Sequence, residues 1–383
     1  MKKNRLLVIT NGFPQISTPN YHCQFVYEQT RLIKDLFDEI VVISPQPYFP
    51  RFLQKVPNLA GYSKLSGFHD YKTDNIRVFY PSYLTLPTVK FRERNHLKMR
   101  RVIQDTIKKE NLQYDFVHVH FLYPTGEAAI DIFPANVKKA LSLHGGDLYK
   151  WALNPKNRER ARKVLSGYDR LQVPSKYLER VLYQLAPDIS KARVYVIPPS
   201  VDENIFFPAT RNRSKIVLMV SNLVEGKGHY DALKAFAEVK KRVAGAKLVI
   251  IGTGPLYGEL KQKITEMGLT KEVSLVGSLA HRTLPKWYQE ASVLLFPSYA
   301  ESFGIVQIEA LACGLPVIAY DNEGSREIFA EYPECLVKTG DIDELGRKLE
   351  SILLSKTRKN IVSSIANKYT TGEILSKLKV IYG

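Results

Sequence analysis

Short, nearly continuous apolar runs alternate along the chain with longer stretches in which apolar residues recur every three or four positions. In the first half the runs are RLLVIT (5–10), EIVVIS (39–44), FVHVHF (116–121), KALSLH (139–144), RLQVP (170–174) and VYVIP (194–198). The second half repeats the series with KIVLMVS (215–221), KLVIIG (247–252), VSLVG (273–277), VLLFP (293–297) and PVIAY (316–320). Runs of this kind suit strands covered on both faces. The intervening stretches, such as HYDALKAFAEVKKRV (229–243), have helical spacing. Strand–helix alternation predicts parallel sheets with right-handed crossovers, here twice over. The expected fold class is α/β, with two tandem Rossmann-like doubly wound domains, 1–200 and 201–370, and a cleft between them as the default ligand site. The break falls in the proline-rich, polar stretch 197–215, and residues 46–75 read as an irregular lid or acceptor-side loop.

Composition sharpens this picture. A chain of 383 residues exceeds one ordinary core, and 45% hydrophobic with 24% charged residues describes a globular protein. No apolar run reaches the roughly 18–20 residues needed to span a bilayer. The opening MKKNRLLVITNGFP reads as a first strand, because its apolar run is too short for a signal peptide. Cys23, Cys313 and Cys335 lie far apart without metal-ligand spacing, which leads us to expect a reducing, cytoplasmic location.

Charge is unevenly divided. Of the net +17, residues 1–200 carry 31 Lys/Arg against 17 Asp/Glu, a balance of +14, and the remainder carries 24 against 21, or +3. The first half is therefore expected to meet something negative. A nucleic-acid partner is not expected, since no binding motif appears and the basic residues lack aromatic interleaving. Residues 89–109 hold Lys90, Arg92, Arg94, Lys98, Arg100 and Arg101, while Leu97, Ile103 and Ile107 can share one helical face. Such a segment suits the surface of an anionic membrane. It equally suits a peripheral helix packed on its sheet with its charges solvated.

The stretch SYAESFGIVQIEALACGLPVIAYD (298–321) is the most informative. A parallel strand ending at Pro297 delivers the next loop to the carboxyl edge of its sheet, where α/β proteins bind ligands. Gly304 allows close backbone approach, and a helix starting near Phe303–Gly304 would turn the N–H groups of Gly304, Ile305 and Val306 towards phosphate oxygens. Glu309, inside that helix, could accept two hydrogen bonds from a vicinal diol such as ribose without a metal. Glu301, on the loop, would face the group beyond the phosphates. The bland alternative is one helix-start acid and one solvated acid.

Here the sequence resembles the family 4 glycosyltransferases, a retaining group with the GT-B fold. Glu301 and Glu309 match their Glu-x7-Glu pattern, and Ala312, Gly314, Pro316, Val317 and Ile318 the A-x-G-x-P-V-I run that follows. VSNLVEGKGHYDALKAF (220–236) resembles the G-R-L-x-x-x-K-G loop, IGTGPLYGEL (251–260) the G-x-G-P turn, and LHGGDL (143–148) the H-G-x-D motif. The resemblance implies a metal-independent hexosyltransferase with no cofactor beyond its UDP- or GDP-sugar substrate. His144 and Glu301 would flank the donor sugar at the reacting centre. Lys227 and Gly228 would meet the pyrophosphate together with Gly12 and the 303–306 helix start, including Phe303. Glu309 would hold the ribose, and Asp147 would lie on the acceptor side. No protein nucleophile is implied, the leaving phosphate helping to deprotonate the acceptor. The terminal helix, about 371–383, would return to the first domain. A lipid-linked or cell-surface glycan acceptor at the cytoplasmic membrane face would account for the basic half. A sugar-nucleotide epimerase of similar architecture, or a basic nucleic-acid-binding protein, is the alternative reading.

Three places depart from the family pattern, the first being NYHCQ (20–24), with His22 and Cys23, where a glycine-containing loop is usual. Asn222 stands where arginine is usual, and Glu323-Gly324 where two glycines are usual. Outside the motifs, His118 and His120 alternate on one strand and suit core packing better than a metal pair.

Overall fold

A computed structural model describes residues 4–15, 23–48, 68–85, 94–209, 214–355 and 361–383. The chain divides into two compact units, residues 1–197 with 375–383, and residues 198–374.

The first unit is built on an eight-stranded sheet. Its strands are β1 (Arg5–Ile9), β2 (Glu39–Ile43), β4 (Tyr71–Thr73), β5 (Ile76–Phe79), β7 (Phe116–His120), β8 (Lys138–Ser142), β9 (Arg170–Val173) and β10 (Val194–Val196). Their order is β10-β9-β8-β7-β1-β2-β5-β4, and every pairing is parallel except β4 with β5. β3 (Gln46–Tyr48) and β6 (Ser82–Leu84) form a separate parallel pair.

The second unit has β11 (Ile216–Val220), β12 (Lys247–Ile251), β13 (Val273–Gly277), β14 (Val293–Phe296), β15 (Val317–Tyr320) and β16 (Leu336–Val337). The order is β13-β12-β11-β14-β15-β16 and all pairs are parallel. Both faces of this sheet are covered. Val217, Met219, Val293 and Leu295 enter one core, while Leu218, Val220, Leu294 and Phe296 enter the other. The two-residue period of a strand therefore reads as an unbroken apolar run, and each such buried side chain contributes about 1.5–3 kcal/mol.

Strand order then positions the loops. In each sheet the chain winds outward from the first strand in one direction and later returns to its other side. The switch falls between β1 and β7 in the first unit and between β11 and β14 in the second. Loops leaving the carboxyl ends of those pairs diverge and leave a crevice.

Of the stretch expected to be irregular, residues 46–48 and 71–73 are strands, and residues 49–67 lie outside the described ones. The helix Asn95–Lys109 corrects the expected apolar face. Met99 and Ile103 are its buried residues, whereas Leu97 is 50% exposed, because it lies roughly 160° around the helix from Met99.

Candidate active site

In the second unit, the loops after β11 and β14 meet at the switch between those strands. Gly228 caps the helix His229–Arg242 with φ +71°, and a Cβ there would lie 2.0 Å from the carbonyl oxygen of Pro297. Glycine is required for this approach. The amide of Tyr299 donates to the Gly226 carbonyl at 2.8 Å, fastening one loop to the other. Buried Asp231 adds a second fastening, its Oδ2 accepting the hydroxyls of Tyr299 at 2.5 Å and Tyr320 at 2.8 Å.

Held this way, Lys227 and Glu301 come together. Lys227 Nζ donates to Glu301 Oε2 at 2.5 Å, and both side chains are mostly withdrawn from water. The helix after Glu301 runs Ile305–Ala312 and is capped by Gly304 at φ +90°, one to two residues later than the sequence suggests. Neither Gly228 nor Gly304 supplies a side-chain cap, so each helix presents bare first-turn N–H groups. Ile305 and Val306 stand partly exposed in one of those turns. Phe303 is turned inward, buried and set edge-on to Tyr369 at 5.4 Å, so its ring packs into the core.

Glu309 is only 2% exposed, and both its carboxylate oxygens already have partners. His281 Nε2 lies 2.6 Å from Oε1, and the buried Tyr288 hydroxyl donates to Oε2 at 2.8 Å. The carboxylate raises the Tyr288 phenol's pKa further, on top of burial. Each carboxylate oxygen has two lone-pair sites, so one on each remains for a further donor.

At the departures, Gly324 packs its backbone against Glu301 and Phe303, where a Cβ would come within 3.0 Å of backbone atoms. Asn322 caps the short helix Glu323–Ile328 and ties it to the Ser298 carbonyl at 2.7 Å. Arg326 pairs with Asp321 at 2.9 Å and Glu323 at 3.3 Å. Asn222 itself is exposed.

In the first unit, Gly12 is buried just beyond β1, its carbonyl accepting the Thr10 hydroxyl at 2.9 Å. His144 follows β8. Its Nε2 lies 3.1 Å from His120 Nδ1, the two rings stack within 10°, and His120 stacks in turn on His118. Burial holds His118 and His144 neutral by pushing their pKa values down to about 3, and burial, with the neighbouring imidazoles, pushes that of His120 well below its ordinary value. Asp147 is buried, with its carboxylate accepting the amides of Leu122 at 2.9 Å, His144 at 3.1 Å and Leu148 at 3.2 Å. Burial raises its pKa against the pull of these bonds. Its carboxylate thus clamps the loops after β7 and β8 to each other, where an acceptor-facing acid was expected.

Of the basic candidates, Lys90 and Arg92 lie outside the described residues. Lys98 donates to the Leu84 carbonyl at 2.8 Å, and Arg100 to Asp131 at 2.9 Å and the Ala128 carbonyl at 3.1 Å. Arg94 and Arg101 are exposed.

Several partners escape a reading of the sequence. His229 is buried beside Lys227, with Nε2 3.1 Å from the Ser221 hydroxyl, and burial with the Lys227 charge lowers its pKa to about 4. His281, Tyr288 and Asp231 carry no motif of their own. The usable signal was Tyr288, a tyrosine on the inner face of a short helix whose hydroxyl must find a partner.

Comparison with known proteins decides the family. The sequence profile described as Glycosyltransferase Family 4 matches residues 24–205, and that described as Glycosyl transferases group 1 matches residues 200–368. The chain is a family 4-type glycosyltransferase.

This glycosyltransferase is 26% identical over 396 aligned positions to the GDP-mannose-dependent alpha-(1-6)-phosphatidylinositol monomannoside mannosyltransferase of Mycobacterium tuberculosis (strain ATCC 25618 / H37Rv). That alignment covers 97% of this chain and 94% of the relative. It is 24% identical to N-acetyl-alpha-D-glucosaminyl L-malate synthase of Bacillus anthracis, over 82% of this chain and 83% of the relative. Among solved structures, sucrose-phosphate synthase from Thermosynechococcus elongatus shares the GT-B fold with a TM-score of 0.75 at 19% identity, over 99% of this chain and 98% of that one.

Proposed function

We propose that this glycosyltransferase moves a hexose from a GDP- or UDP-sugar, with retention and without a metal, to a lipid-linked or cell-surface glycan acceptor at an anionic membrane face. The observation that carries the donor half is the convergence of Lys227, Glu301 and two uncapped helix N-termini at the switch point of one sheet. Helix N-termini and a lysine favour the charge that develops on a departing nucleoside diphosphate. Glu301 would take sugar hydroxyls, and Glu309, steadied by Tyr288 and His281, would offer its remaining lone pairs to the ribose. The acceptor half is supported by the +14 balance of residues 1–200 and by the lipid-type substrate in the name of the mycobacterial relative. That name also makes GDP-mannose the first donor to try.

Thermal unfolding with GDP, UDP, GDP-mannose and UDP-glucose, in EDTA throughout, tests the donor site. A ligand that binds only the folded protein raises the melting temperature by mass action. A selective rise with one nucleotide family is expected, and no rise with any would remove the donor reading. For the acceptor face, binding to anionic vesicles at low salt should weaken when Arg94 and Arg101 are both changed to Glu. A phosphate-rich surface attracts each nearby cation by about 1 kcal/mol. Equal binding by this variant would place membrane contact elsewhere or remove it.

A further inference from the structure

We propose that Glu301 competes with the nucleotide diphosphate for Lys227, so that the enzyme grips a sugar nucleotide and lets go of the spent diphosphate. The inference rests on the donor reading above and adds a discrimination step to it.

The geometry carries the argument. Lys227 immediately precedes Gly228, and Glu301 lies three residues before Gly304, so each partner stands at the mouth of a helix whose first-turn N–H groups lack a side-chain cap. Nζ and Oε2 meet at 2.5 Å, with the side chains 24% and 18% exposed. A diphosphate drawn to those N-termini would sit close to the Glu301 carboxylate. Like charges a few ångströms apart in partly dry surroundings repel appreciably. The phosphates would also claim the ammonium that Glu301 now holds.

Two things relieve the carboxylate when a sugar is attached. The hydroxyls of the hexose are donors that an ionised carboxylate, having only acceptors, can use. With its oxygens occupied there, Glu301 can release Lys227 to the phosphates. After transfer the hydroxyls leave with the acceptor, Glu301 loses its donors, and its recapture of Lys227 weakens the hold on the diphosphate. Specificity of this kind comes from penalising the wrong ligand as much as from favouring the right one.

Isothermal titration of the full chain with GDP and GDP-mannose, and in parallel with UDP and UDP-glucose, tests the exchange. Glu301→Gln should bind the bare diphosphate about fivefold more tightly, the change that corresponds to a partly exposed ion pair of ~1 kcal/mol. The sugar nucleotide should bind no more tightly, so the preference for it over the diphosphate falls. Glu301→Ala, which removes the same charge with a smaller side chain, should repeat the tightening. Lys227→Met should weaken both ligands by tenfold or more. If Lys227→Met weakens the diphosphate but neither Glu301 variant tightens it, the competition is overturned and the donor reading survives. If Lys227→Met leaves diphosphate affinity unchanged, or the wild-type chain binds none of the four ligands, the donor reading falls and the competition with it.

Discussion

A carboxylate as buried as Glu309 is costly unless its oxygens are matched. Tyr288 and His281 do the matching, from 21 and 28 residues upstream. Tyr288→Phe keeps the ring and removes one hydrogen bond to a charged group, so it should destabilise the second unit by about 1.5–3 kcal/mol. The freed oxygen would also be less well aimed, and nucleotide binding should weaken. Urea unfolding together with nucleotide titration checks both, and wild-type values in each would mean the phenol does not hold the carboxylate. At this scale the sequence shows that Glu301 and Glu309 belong to one strand–loop–helix segment. It does not show that one acid is ion-paired to a lysine and mostly withdrawn from water while the other is buried against a tyrosine and a histidine. That difference depends on neighbours supplied by other segments.

Among elements, the terminal helix Thr371–Tyr382 shows how a distant segment completes a core. Its last residues, 375–383, belong to the first unit, where Tyr382 sits edge-on to Phe37 and Phe116 at 5.2 and 5.3 Å. Arg170 reaches the carbonyls of Val380, Ile381 and Gly383, a cation at a helix C-terminus where the dipole favours it. From Tyr382 a hydrogen-bonded line runs inward through His118, Ser142, Gln172 and Gln29. Ser142 donates to Gln172, so His118 must donate to Ser142 from Nε2 and accept the Tyr382 proton at Nδ1. Tyr382→Phe would leave that buried nitrogen unmatched, and should cost the first unit about 1–3 kcal/mol in denaturant unfolding. An unaltered midpoint would mean that the helix docks by its apolar contacts alone. Strands buried on both faces were legible as apolar runs, whereas β4 and β5 were missed because they are short and border a polar turn at Asp74. The helix Asn95–Lys109 was legible in its charge but misjudged in its face, because Leu97 lies off the stripe that packs.

At the scale of the units, the histidines that burial holds neutral among the described residues include three stacked together in the first unit. His118, His120 and His144 all have lowered pKa values there, against His229 in the second unit. A histidine in an unfolded chain titrates near ~6.5, so below that pH unfolding takes up protons that the native state refuses. Stability is therefore fully present above about pH 7 and declines as the pH falls towards the native values near 3 and 4. The slope approaches ~1.4 kcal/mol per pH unit for each such histidine. The first unit should lose stability faster than the second between pH 6.5 and pH 4.5. The two tryptophans lie one in each unit, so Trp151→Phe and Trp287→Phe variants report the units separately by fluorescence during urea unfolding. Parallel decline in both would show that the imidazole stack is not what acid attacks.

The uneven charge, the doubly wound pattern and the family motifs are set by the sequence alone, because each depends on residues close together along the chain or on simple sums over it. Burial on both sheet faces writes itself locally, as apolar runs with glycine and proline at their ends. Which loops meet is another matter. Lys227 and Glu301 are 74 positions apart and touch because β14 pairs with β11, on the side opposite β12. Strand order is a property of the assembled sheet, fixed by packing on both faces at once. For that reason the ion pair, the buried Glu309 with its two partners and the stacked histidines were decided only in three dimensions.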